Sequence, residues 1–119
     1  LANEAGVQIK GNHDAGLANG LSPRELIEAA IALCTSITLE SVLKRDGITY
    51  NPDEVHIQVV ASKEEGVKNR FSHFLVDVTL PSGVDEEYKK KLLKVVERGC
   101  TISNTVSNGA TVTLNAKNI

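Results

Sequence analysis

Two cysteines, Cys34 and Cys100, are the residues of this chain best suited to chemistry. In a reducing compartment a cysteine pair serves catalysis, redox sensing or metal binding more often than a structural disulfide. Metal is poorly supported, because His13, His56 and His73 show neither CxxC nor HxxxH spacing to the cysteines or to one another. The two thiols differ in setting. Cys100 follows Gly99 and opens a short helical segment, whose unpaired N–H groups would favour a thiolate. Cys34 falls in mid-helix, where no free N–H is on offer. Singly, each reads as a buried structural thiol. As a pair they leave core filling and chemistry evenly balanced.

The element that must position Cys34 is Ser22 to Gly47, read as one long helix. Ser22, Pro23 and Glu25 form a capping box with proline at the first helical position. Lys44 and Arg45 favour the negative end of the dipole, and Gly47 can take a left-handed stop. About 24 residues make a rod of ~36 Å. Leu26 to Leu33 is apolar except at Glu28, a belt that predicts burial on nearly all sides.

Ahead of it, residues 5–11 alternate weakly as a short strand, and Gly11 to Gly20 reads as a plain loop. Its glycines lack the Gly-Lys-Ser/Thr of a phosphate loop. Beyond the helix, Asn51-Pro52-Asp53 predicts a turn, and Val55, Ile57, Val59 and Ala61 share one face of a strand. Lys63–Asn69 connects to a second strand, Arg70–Leu80, with Phe74, Val76, Val78 and Leu80 on one face. Asp85–Arg98 predicts an amphipathic helix with Tyr88, Leu92, Val95 and Val96 as its stripe and a solvated lysine face. Gly99 reads as its stop, and Thr111–Ala116 as a closing strand with Val112 and Leu114 inward.

With 119 residues, 41% hydrophobic and 24% charged, the chain is expected to be one globular domain, 1–119. A net charge of −2 gives no basic footprint for nucleic acid or an acidic membrane. No apolar run approaches ~18 residues and no signal peptide is evident, so a cytoplasmic protein without a membrane span is expected. With Leu1 first and no methionine present, the translated start is expected to lie upstream.

Ser-Pro-Arg-Glu-Leu-Ile-Glu-Ala-Ala-Ile-Ala-Leu-Cys-Thr (22–35) and Cys-Thr-Ile-Ser-Asn-Thr-Val (100–106) together resemble the OsmC/Ohr family. That family has a Pro-x-Glu-Leu or Pro-Glu-x-Leu opening, an alanine-rich helix, and a cysteine eleven residues after the proline. The resemblance spans roughly 20–116. It implies an α+β fold: a long buried central helix on a largely antiparallel curved sheet, in an intertwined homodimer. It also implies a cysteine-based peroxidase for organic hydroperoxides, active in the oxidative stress response and needing no cofactor. By the same resemblance Cys34 is the peroxidatic cysteine, forming a sulfenic acid, and Cys100 the resolving one, closing an intrachain disulfide. An external dithiol, lipoyl-type in some relatives, would reopen it.

The chain departs from the peroxidase pattern beside the proline. Arg24 follows it, the glutamate is shifted to Glu25, no arginine lies upstream of Arg24, and the N-terminal strand region is short. Arg24 and Glu25 are therefore auxiliary candidates, Glu25 being ~13 Å along the rod from Cys34 and able to meet it only across a dimer. A non-peroxidatic OsmC-like protein, sensing redox state or binding a small molecule, is the alternative. A third reading keeps both thiols in the core, beyond disulfide reach and with no cleft between them.

Overall fold

The computed structural model describes residues 11–12, 17–18 and 20–117. The expected strand at 5–11 lies outside these residues but for Gly11, as does His13. Strands β1 (Gly11–Asn12) and β2 (Leu17–Ala18) pair antiparallel, with Gly11 opposite Ala18. The segment read as a plain loop therefore carries a short ladder.

Helix α1 spans Pro23–Arg45. Its start is the capping box read from sequence: the Glu25 N–H donates to Ser22 Oγ, and the Ser22 N–H to Glu25 Oε1, each at 3.2 Å. Its buried residues are Ile31, Thr35, Leu39, Val42 and Leu43, one stripe at helical spacing. The apolar belt is thus not buried on nearly all sides by this chain alone. Leu33 is 63% and Ile37 57% exposed, because the described residues lay only one layer against the helix. By length and composition α1 could also cross a membrane, at a mean hydropathy of 1.7. Glu28, Glu40 and the hydroxyl residues that interrupt its apolar run lower that average too little to exclude it. In the fold α1 packs against strand β3 and helices α2 and α3, described next.

A single 3-10 turn, Pro52–Glu54, leads into β3 (His56–Ser62), which pairs antiparallel with β4 (His73–Thr79). The register sets Val59 opposite Val76 and Ala61 opposite Phe74, so both predicted inner faces lie toward the helices. On the outer face Val60 and Leu75 pair directly and stay exposed. Glu28 ties the layers together: its Oε2 accepts the Ala61 N–H at 2.7 Å, a group bonding away from the β3–β4 ladder. Left bare in a part-buried place, that N–H would cost ~1–3 kcal/mol.

Helix α2 (Glu86–Gly99) is capped by Asp85, and α3 (Thr101–Asn108) follows after one residue. Leu92 and Val96 meet Leu39, Val42 and Leu43 in the core, with Ile57, Val78 and Leu80 packed beside them. Each fully buried leucine contributes ~1.5–3 kcal/mol relative to exposure. Val95, placed in the stripe from sequence, lies at the edge and is exposed, as are Lys90, Lys91 and Lys94.

The expected closing strand does not form. Residues 111–116 have no ladder partner among the described residues, and Val112 and Leu114 are 83% and 92% exposed rather than inward. An extended segment becomes a strand only where another edge accepts its backbone groups.

Tyr88 fastens α2 to the end of α1, its hydroxyl donating to Asp46 Oδ2 at 2.8 Å. Burial first, then this hydrogen bond and the Asp46 charge, push its pKa up to about 12. A raised phenol pKa favours the fold while tyrosine stays neutral, and the unfolded chain ionises near its ordinary value of about 10. Stability should therefore hold up to about pH 10 and fall as pH rises toward 12. In Tyr88→Phe, denaturant midpoints measured across that range should lose this component of the fall.

Candidate functional site

The junction of α2 and α3 lies against the middle of α1, and Gly99 sets how closely. Gly99 is the last residue of α2 rather than a left-handed stop. A Cβ built on it would stand 3.0 Å from Thr38 Cγ2, so the absence of a side chain lets the two helices touch. Thr38 cannot easily turn away, because its Oγ1 donates to the Cys34 carbonyl at 3.0 Å. The next residue, Cys100, is delivered to α1 beside Thr35 and Cys34.

Cys100 is 1% exposed and caps the N-terminus of α3 by position. Its N–H still closes α2 by donating to the Val96 carbonyl at 3.1 Å, while its carbonyl accepts the Asn104 N–H at 3.0 Å. The Asn104 side chain donates to the Arg98 carbonyl at 2.8 Å and stiffens the junction. Burial pushes the Cys100 thiol up. The Ser103 hydroxyl, the Cys34 thiol, the Ser103 N–H and the Thr35 hydroxyl act against it, and on balance the pKa lies below the ordinary thiol value. Thr35 is itself buried; its Oγ1 donates to the Ile31 carbonyl at 2.8 Å and lies 4.0 Å from Cys100 Sγ.

Cys34 is half-buried and free, and it precedes Thr35, whose hydroxyl lies 4.0 Å from Cys100 Sγ. The seating of Cys100 beside Thr35 brings the two cysteines to neighbouring places on α1 and the α2–α3 junction. A cavity of about 690 Å³ has Cys100, Thr35 and Ser103 in its wall, with Cys34 behind Thr35 and outside its lining. Phe71, Phe74 and Val76 give the cavity an apolar side, and Arg70, His73 and Glu97 add charged or titratable groups. Such a cleft suits a small apolar molecule carrying one polar end.

The auxiliary candidates stand elsewhere. Arg24 Nε lies 3.8 Å from Glu28 Oε1, and the Arg24 side chain is largely exposed. Glu25 serves the helix cap, and hydrogen bonds from the Ser22 backbone and side chain lower its pKa. Both lie at least nine residues before Cys34, roughly 13 Å or more along the axis, so α1 brings neither to its thiol. Ser103, Thr35 and Glu28 were not singled out from sequence. Ser103 had a legible signal, standing three residues after a helix-capping cysteine where a capping partner is placed. Among the described residues no group of three His, Cys, Asp or Glu side chains could hold a metal.

A small helical layer, a hairpin and two neighbouring cysteines at separate helices define a pattern that can be compared with known proteins. The OsmC-like protein family matches residues 13–115, most of the chain. The chain belongs to the OsmC-like family. A candidate redox protein of Lactobacillus casei superposes with a TM-score of 0.60 at 24% identity, over 87% of this chain and 71% of that one. An OsmC-like protein of unknown function from Vibrio cholerae gives 0.56 at 16% identity, over 87% and 75%. The organic hydroperoxide resistance protein OhrB of Bacillus subtilis gives 0.51 at 24% identity, over 88% and 79%. These likenesses establish the α+β fold. No curated protein sequence matches the chain.

The Gly99–Thr38 contact can be tested by a double-mutant cycle. Gly99→Ala gains ~1 kcal/mol of helix propensity but overpacks Thr38 at a cost of ~1–3 kcal/mol. The net effect on denaturant stability should be a loss. Thr38→Ser, which removes Cγ2 and keeps the hydroxyl, should recover most of it in the double variant.

Proposed function

We propose that this OsmC-like protein is a thiol-dependent peroxidase that reduces organic hydroperoxides through Cys34 and Cys100. The observation that carries the reading is the seating of Cys100 at the wall of an apolar cavity, against Thr35, the neighbour of Cys34 on α1. Cys34 attacks the terminal peroxide oxygen and becomes a sulfenic acid, and the alcohol leaves. Cys100 then attacks the Cys34 sulfur, releases water and closes the disulfide. Its depressed pKa suits that second step, since the thiolate is the attacking form. An external dithiol of lipoyl type, in a reducing cytoplasm, returns the pair to the reduced state.

The working form is a homodimer. Leu33 and Ile37 on α1, with Val112 and Leu114 on the C-terminal segment, offer the exposed apolar surface that a second copy would cover. Arg24 and Glu25 keep an auxiliary place, because they reach a thiol only across that interface.

One observation favours the alternative of a redox-sensing or small-molecule-binding protein without turnover: Arg24 is engaged with Glu28. Steady-state peroxide consumption with a dihydrolipoyl reductant, well above the rate of free thiol, would exclude it. Reduced protein exposed to cumene hydroperoxide should yield a Cys34–Cys100 disulfide on peptide mass mapping. Cys34→Ser should abolish consumption, and Cys100→Ser should leave a Cys34 that over-oxidises. Absence of both the disulfide and a Cys34 sulfenic adduct would defeat the proposal.

A further inference from the structure

Thr35 is the one buried polar side chain among the described residues, 5% exposed on an apolar stripe that runs through Ile31, Leu39 and Val42. Valine has nearly the same shape and would bury there with no hydroxyl to satisfy. The hydroxyl is not needed to hold α1 together. Its hydrogen goes to the Ile31 carbonyl at 2.8 Å, an oxygen that the helix ladder already supplies with the Thr35 N–H. What sets the hydroxyl apart is its other neighbour, Cys100 Sγ, 4.0 Å away and within reach of a sulfur hydrogen bond.

A hydroxyl owns one hydrogen and two acceptor lone pairs. With its hydrogen on the Ile31 carbonyl, Thr35 Oγ1 can only accept from Cys100, so the contact as built holds that sulfur in its S–H form. A thiolate has no hydrogen to give and needs a donor. We propose that Thr35 is a two-position switch for Cys100: it accepts the S–H in the resting protein, and turns its hydrogen from the Ile31 carbonyl to the sulfur when Cys100 ionises. The turn is a rotation about Cβ–Oγ1 that moves no heavy atom. It trades a bond to a neutral, already satisfied carbonyl for a charge-assisted one, which is the stronger. The same hydroxyl is among the groups that, against burial, bring the Cys100 pKa below its ordinary value.

Thr35 is thereby a positioning residue for Cys100, and it sets the pH at which that sulfur becomes a nucleophile. The consequence for turnover rests on the peroxidase reading above. In the resolving step the Cys100 sulfur bonds to the sulfenic sulfur of Cys34, and the S–O bond breaks with its electron pair on oxygen. The hydroxide that leaves and the proton given up by Cys100 make one water, so no further reactant is needed. Besides Cys34 on α1, the titratable groups around the cavity that Cys100 lines are Glu97 on α2 and Arg70 and His73 from the β4 side. Helix α3 carries none. A substitution at Thr35 leaves all of them in place.

Alkylation of Cys100 by iodoacetamide in the reduced protein, followed from about pH 6 to pH 10 by peptide mass, tests the switch. Access to the buried sulfur scales the rate at every pH and leaves the midpoint where ionisation puts it. Thr35→Val should raise that midpoint by about one pH unit, the worth of one hydrogen bond to a charged group, without lowering the denaturant midpoint of the fold. Thr35→Ser should bring the alkylation midpoint back. After cumene hydroperoxide at pH 7, a Cys34 sulfenic acid trapped with dimedone should persist about tenfold longer in Thr35→Val, the same unit read as a rate. An unmoved alkylation midpoint in Thr35→Val, or a raised one that Thr35→Ser does not restore, overturns the switch. A hydroxyl kept for the fold alone would show as lost stability with an unmoved midpoint. If the wild type forms neither sulfenic acid nor disulfide, the peroxidase reading falls, while the alkylation midpoints still decide the switch.

Discussion

The structure depends on one close approach, the seating of the α2–α3 junction on the middle of α1. A glycine at 99 and a threonine methyl at 38 define it. Thr38 is held in place by its bond to the Cys34 carbonyl, so the residue that receives Gly99 is anchored on the Cys34 peptide itself. From that contact follow the burial of Cys100, its place near Cys34, and the placement of Ser103 one turn into α3. The core below it, Leu39 and Leu43 against Leu92 and Val96, fixes the crossing of α1 and α2 that makes the approach possible.

Charge is distributed with the same economy. Among the described residues every buried side-chain nitrogen and oxygen has a partner. Glu28 spends one carboxylate oxygen on the Ala61 N–H and faces Arg24 with the other. Glu25 is committed to the cap. With these carboxylates and the first-turn arginine occupied structurally, the polar help for the thiols comes from hydroxyls and from the thiols themselves.

Much of this was legible in the chain. The helix from Pro23, its cap, both strands with their inward residues, and the second helix followed from spacing and punctuation. The paired motifs around Cys34 and Cys100 pointed to the family. Failures have physical causes. Gly99 does end α2 as read, but its second role, the tertiary contact with Thr38, is invisible to a local reading. The C-terminal alternation of Val112 and Leu114 was real, but alternation states which face could be buried and not whether an edge exists to pair with. The apolar belt on α1 recorded more surface to cover than one chain covers. Ser103 passed unremarked because a serine in a short polar helix is ordinary until a sulfur is placed beside it.

The most direct test of Cys34 and Cys100 as one redox pair counts free thiols in the reduced protein after one equivalent of cumene hydroperoxide. A working pair loses both thiols together to a single intrachain disulfide, and loses neither by that route once Cys34 is changed to serine. Two thiols that both survive, or that are oxidised one at a time and independently of each other, would contradict it.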